Sequence, residues 1–315
     1  MGHEVSRMWL TVVLLHLVGL GGLLVLERPG ALGIGLGLTA YTLGLRHAFD
    51  ADHIAAIDNA TRRLVRPTVK PVSVGMWFAL GHSTVVVILV ALTAIGVGAT
   101  DVIDPDSPLQ RAAGMLGPTV SGVFLVVIGL LNLASLVRIL RARSDAELLD
   151  RELDSRGFLN RVLRPLMNVV RKPWHMYPVG FLFGLGFDTV TEIGLLATAG
   201  TAAGKGLPWY SILVLPILFS AGMVLFDVLD SSLMARVYGS AFARPGRKLT
   251  YNVAVTGLSV AVALVIGVQE IVSVVGPLGW TTHIDFGESG VLIAALFAAT
   301  WILTLAIQPM RKELK

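Results

Sequence analysis

Cysteine is missing from all 315 residues, which removes disulfides, thiolate metal sites and a cysteine nucleophile. Charge is scarce as well. Asp, Glu, Lys and Arg make up 15% of the chain, against about 25% in an ordinary soluble domain. Hydrophobic residues reach 54% and the mean hydropathy is +0.75, so the missing charge points to lipid. The net charge of +4 is small, and no nucleic-acid partner is expected. Several chemical signatures are absent too. There is no G-x4-G-K-[ST] for ATP, no H-E-x-x-H of zinc proteases and no set of His-rich boxes of the di-iron desaturase kind. No cofactor, no ATPase subunit and no enzyme activity are therefore expected.

What is present is long apolar runs. Eight segments, 8–26, 32–58, 72–99, 113–137, 178–200, 208–230, 251–275 and 289–308, approach or exceed the roughly 17–25 residues a helix needs to cross a bilayer. The pattern predicts an all-α polytopic bundle, one transmembrane domain over 1–315. Residues 138–177 form a cytoplasmic connector between two four-helix halves. With the N-terminus inside, the inner segments hold 21 of the 25 Lys and Arg residues, as the positive-inside rule requires. Both termini are then cytoplasmic, in a membrane of the bacterial inner type. Asp101, Asp104 and Asp106 give the outer loop after the third span an acidic character.

Charge reappears inside the spans, where it costs a few kcal/mol (about 2.5–3.5 for Arg, Lys or Asp) and usually faces a polar interior. "RHAFDADHI", residues 46–54, holds Arg46, His47, Asp50, Asp52 and His53, and Asp58 follows. The third span adds His82 and Ser83 in "LGHSTVV", the fifth Asp188 and Glu192 in "GFDTVTE", and the sixth Asp227 and Asp230 in "GMVLFDVLD". Asp230 falls at the end of the expected sixth span, as a solvated terminal acid would. Imidazole and carboxylate without thiolate suit first-row divalent cations. Magnesium and calcium favour oxygen alone, and copper(I) favours sulfur.

Helical geometry leaves two arrangements open. At about 100° per residue, Asp50 lies about 60° and His53 about 120° from His47 on one face, extended by Asp58 at about 20°. Asp52 lies about 140° away on another face. Either His47, Asp50 and His53 hold a metal together, or the helix distorts to bring Asp52 in, as broken helices of transport sites do.

These motifs, in this order on an eight-span chain, resemble the nickel/cobalt permeases of the NiCoT family over essentially the whole sequence. The sharpest element is His-x4-Asp-His, here His47, Asp52 and His53, followed by "LGHSTVV", "LGFDTVTE" and "GMVLFDVLD". The resemblance implies a secondary permease for Ni²⁺ and/or Co²⁺ in which His47, Asp52 and His53 serve metal selection and transport. It favours Asp52 where regular geometry favours Asp50; one would ligate while the other orients a histidine. His82 joins the expected metal set, and Asp58, Ser83, Asp188, Glu192, Asp227 and Asp230 the pathway around it. Val228 departs from the family pattern, which has a hydroxyl residue after the first aspartate of the last motif. No long histidine-rich loop of the exporter kind is present, which favours uptake. Export of the same metals is the alternative reading; a non-transporting sensor and an intramembrane metalloenzyme rank below it.

A fainter pattern is internal. "GLRHAFDADHI" at 44–54 and "GLGFDTVTEI" at 184–193 share Gly-Leu and Phe-Asp. Each enters a span whose successor begins Phe-x-x-Gly, at Phe78–Gly81 and Phe219–Gly222. Three spans separate the copies, so they cross in opposite senses and suggest an inverted repeat with the site at its interface.

Overall fold

The computed structural model describes residues 2–26, 31–65, 71–94, 106–142, 170–186, 213–241 and 248–275, together with positions 104, 189, 295, 296 and 299. These residues are all-helical. In chain order they form α1 (Gly2–Leu26), α2 (Ala31–His47), α3 (Ala51–Leu64), α4 (Val74–Ala94) and α5 (Pro108–Ala142). A 3-10 turn (Pro173–His175) then leads into α6 (Met176–Phe183), followed by α7 (Val214–Ala241) and α8 (Lys248–Val275). Five of the helices, α1, α4, α5, α7 and α8, are each long and apolar enough to cross a membrane. The chain is a polytopic helical membrane protein. Most of the expected eighth span, and residues 143–169 of the expected connector, lie outside the described residues.

The expected second span is not one helix. α2 has 17 residues, about 25 Å of rise and short of the roughly 30 Å hydrocarbon layer. It ends at His47, and α3 restarts at Ala51. Between them the chain tightens: the N–H of Phe49 donates to the Arg46 carbonyl at 2.9 Å and that of Asp50 to the His47 carbonyl at 3.0 Å. Asp50 then takes an extended conformation, φ −62° and ψ 143°, as the residue before α3. These short-range bonds satisfy backbone groups where lipid offers no partner. α7 differs from expectation in the other direction. It runs to Ala241, so Asp230 stands inside a helix and not at its end.

Two helix pairs pack by one plan. A Cβ on Gly44 of α2 would fall on the Phe219 carbonyl of α7, and one on Gly222 would fall on the Tyr41 carbonyl and Leu45 nitrogen. Likewise a Cβ on Gly180 of α6 would meet the Phe78 carbonyl of α4, and one on Gly81 the Tyr177 carbonyl and Phe181 nitrogen. In each pair only glycine lets the backbones approach this closely, and each pair runs antiparallel. The contacts set the repeat register. Tyr41, Gly44 and Leu45 answer to Tyr177, Gly180 and Phe181, while Phe78 and Gly81 answer to Phe219 and Gly222. The Gly-Leu match expected from the sequence, Gly44 with Gly184, is thus displaced by four residues. The ungapped register aligns Gly44 with Gly180 and Asp52 with Asp188.

Among the described residues, buried side chains form two apolar clusters. One joins α1, α2, α4 and α7 through Met8, Ala40, Ala79, Leu218 and Phe219. The other joins α3, α4, α5, α6 and α8 through Ile57, Phe78, Leu125, Phe183 and Ala263. Leu17, Leu24, Val265 and Val268 are more than half exposed on α1 and α8, the apolar outer surface expected of a protein solvated by lipid chains.

Candidate metal centre

The break between α2 and α3 places His47 as the last residue of one helix and His53 in the first turn of the next. α4 brings His82 beside them, one residue beyond the close-approach glycine at 81. All three are buried, with exposures of 1–3%. Their rings form a near-equilateral triangle: the centroids are 4.8 Å apart for His47–His53, His47–His82 and His53–His82. The Nε2 atoms of His47 and His82 lie 3.0 Å apart. One ligand atom from each ring falls within 4.8 Å of the others, which gathers three potential donors about one point.

The triad sits where the two apolar clusters meet. Phe219 packs on His47 at 5.6 Å between centroids, and Phe78 packs edge-on against His53 at 4.8 Å. Phe183 lies 6.4 Å from His53 and 5.2 Å from Phe78. This aromatic casing excludes water from the histidines on those sides. His53 Nδ1 and His82 Nδ1 are buried with no hydrogen-bond partner among the described residues, and buried polar atoms of that kind call for a ligand or other explanation.

The two aspartates of the motif divide their work. Asp50 stands at the N-cap of α3 but makes no side-chain cap bond; its Oδ2 lies 3.2 Å from His47 Nδ1. A carboxylate there favours the Nδ1–H tautomer and leaves the Nε2 lone pair for a metal. Asp52 supplies the capping: its Oδ1 accepts the backbone N–H of His53 at 2.9 Å, and Ser121 of α5 donates to its Oδ2 at 3.4 Å. Both aspartates border the triad without belonging to its group of close ligand atoms.

The other expected residues fall into separate places. Ser83 is buried, and its Oγ has no hydrogen-bond partner among the described residues. Asp227 is fully buried, and neither of its carboxylate oxygens has a hydrogen-bond partner among the described residues. It lies within electrostatic range of His47, Asp52 and Asp230, and Asp230 within range of Asp58. Asp58 belongs to a second polar knot, where Tyr238 of α7 and Ser259 of α8 donate hydroxyl hydrogens to its two oxygens. Asn59 extends the knot to the Ser259 carbonyl at 3.3 Å, and Asn132 of α5 donates to Asn59 Oδ1 at 2.7 Å. Asp188 and Glu192 lie outside the described residues.

Several of these partners escape a reading of the sequence. Tyr238, Ser259 and Asn132 come from spans remote in sequence, and the only local signal is a polar residue in an apolar run, as in "GLLNLAS". Thr189 is the other. It is 2% exposed, and its Oγ1 lies 3.1 Å from His82 Nε2.

Comparison with known proteins bears on this geometry. Residues 33–307 match the family model described as High-affinity nickel-transport protein. The chain is 48% identical to the nickel transporter NicT of Mycobacterium tuberculosis, over 96% of this chain and 88% of that one. It is 43% identical to the high-affinity nickel-transport protein NixA of Helicobacter pylori, over 93% of each. Its identity to the cobalt transport protein NhlF of Rhodococcus rhodochrous is 38%, over 96% of this chain and 91% of that one. No solved structure matches.

Proposed function

The chain belongs to the family of high-affinity nickel-transport proteins, and on that footing we propose that it imports Ni²⁺ and/or Co²⁺ into the cytoplasm through the His47–His53–His82 site. It is a transporter and not an enzyme. The observation that carries the reading is the buried histidine triangle at a helix break, with 4.8 Å between every pair of rings. Imidazole nitrogens suit nickel and cobalt, and a broken helix lets a polar site exist at membrane depth. Asp50 orients His47, Asp52 holds the start of α3, and Asp188, Glu192, Asp227 and Asp230 serve the pathway.

The orientation follows from the distribution of Lys and Arg: both termini and the 138–177 connector on the cytoplasmic side of an inner membrane, within one transporter domain. In that orientation the membrane potential drives a dication inward by about 4.6 kcal/mol per 100 mV, so no ATPase partner is required. The test is accumulation of labelled nickel and cobalt in cells expressing the chain, beside His47→Ala at matched membrane abundance. The parent is expected to accumulate one or both ions, and the variant to fall to the level of empty cells. Accumulation below that of empty cells would reverse the direction to export, and parental uptake by His47→Ala would remove the triad from the path.

A further inference from the structure

We propose that Thr189 supplies an oxygen donor to the transported ion, so that the site selects Ni²⁺ over Zn²⁺ by its angles. The inference rests on the nickel-transport reading of the triad and names what the second half of the repeat adds to it.

Three donor atoms converge. His82 Nε2 lies 3.0 Å from His47 Nε2 and 3.1 Å from Thr189 Oγ1. A neutral imidazole nitrogen either donates or accepts one hydrogen bond, so His82 cannot serve both neighbours fully. Such spacing is what neighbouring ligands of a single ion adopt. Two donors about 2.1 Å from a shared centre stand about 3.0 Å apart at a right angle and about 3.4 Å apart at the tetrahedral angle. Both separations here match the right angle. Tetragonal N,O sets suit nickel, whereas zinc sites held by protein groups are mostly tetrahedral.

The repeat gives an independent reason for placing a donor at 189. In the register fixed by the glycine contacts, Thr189 answers to His53. It is therefore the position at which the first half already delivers a metal ligand. The hydroxyl is buried and is the one second-half group among the described residues that reaches a triad nitrogen. A hydroxyl on β-branched threonine has few rotamers, which keeps the oxygen aimed without a flexible arm.

The experiment is competitive binding of Ni²⁺ and Zn²⁺ to the purified full chain in detergent, for the parent, Thr189→Val and Thr189→Ser. Valine keeps the shape of threonine and removes the oxygen; serine keeps the oxygen. The parent is expected to prefer Ni²⁺, and Thr189→Val to lose about tenfold of the Ni:Zn affinity ratio, the lower end of the roughly 10–100-fold lost when groups around a metal are removed, while Thr189→Ser stays within about twofold. A role in packing alone would leave the ratio unchanged in Thr189→Val, and that result overturns the assignment. Should the valine variant not fold, Thr189→Ala against Thr189→Ser poses the same question with the same decisive ratio. A parent that binds neither ion overturns the transport reading together with this one. A parent that binds Ni²⁺ with a ratio insensitive to residue 189 overturns only the donor role.

Discussion

The two halves of the molecule share a packing plan and differ in chemistry. α2 against α7 and α6 against α4 meet through the same glycine-to-carbonyl contacts, and an aromatic pair follows each. Phe219 packs on His47 at 5.6 Å, and its counterpart Phe78 packs on Phe183 at 5.2 Å. Position for position, the histidines at 47, 53 and 82 answer to Phe183, Thr189 and Met223. Backbone contacts that hold helices together tolerate no Cβ, whereas the side chains just beyond them are free to diverge. One half thus carries the three imidazoles, and the other sets Phe183, Phe219 and a hydroxyl around them.

The sharpest way to break that comparison is His82→Met, which gives the first half the residue of the second. Methionine fills the volume, so the bundle should fold, but a soft thioether is a poor substitute for imidazole on Ni²⁺. Nickel uptake is expected to fall by about 100-fold or more, the size of losing a direct ligand when supporting partners alone cost about 10–100-fold. A volume-conserving change at the counterpart position, Met223→Leu, should leave uptake within about twofold. Uptake that survives His82→Met would remove His82 from the ion's ligands and with it the chemical difference at that position.

A smaller effect is expected at Asp50, whose second-half counterpart is Gly186. Asp50→Asn keeps the shape and removes the charge that sets the His47 tautomer. The KM for nickel uptake should rise by about tenfold with the maximal rate little changed, the usual cost of losing a partner behind a ligand. A fall in maximal rate with KM unchanged would instead make Asp50 part of the path the ion leaves by.

Much of this was legible in the chain. Low charge and apolar runs specified a helical membrane protein, and His and Asp residues in order along the spans pointed to the proposed divalent-metal site. The extent of the helices was less legible. Uniform apolarity hides where α2 ends, because the break at 48–50 is set by turn hydrogen bonds and by Asp50, not by Gly or Pro. The same uniformity hid the continuation of α7 beyond Asp230. Periodicity alone could not choose between Asp50 and Asp52, since it assumes the helix that the structure interrupts. Thr189, Tyr238 and Ser259 act across 107 to 201 residues of sequence, and no local pattern encodes a partner at that distance. The repeat was visible, but its register required the glycine contacts.

The mildest test concerns Tyr41 and Tyr177, which occupy the same place three residues before the close-approach glycines. Each hydroxyl finds a partner on a neighbouring helix, but the partners differ. Tyr41 Oη lies 3.2 Å from His16 Nε2, and Tyr177 Oη lies 2.8 Å from Thr84 Oγ1. Both partners keep a second bond when the phenol is removed: His16 Nδ1 to the Val12 carbonyl at 2.8 Å, and Thr84 Oγ1 to the Leu80 carbonyl at 2.8 Å. All four of these bonds are only part-buried, so each Tyr→Phe change should cost about 1 kcal/mol, the net worth of one hydrogen bond. That corresponds to a fall in Tm of about 2 °C for a chain of this size. Uptake per folded molecule should match the parent in both. Equal small losses would mark the tyrosines as duplicated parts of the packing plan. Loss of uptake in Tyr41→Phe alone, at unchanged Tm, would assign that tyrosine to the half that carries the histidines.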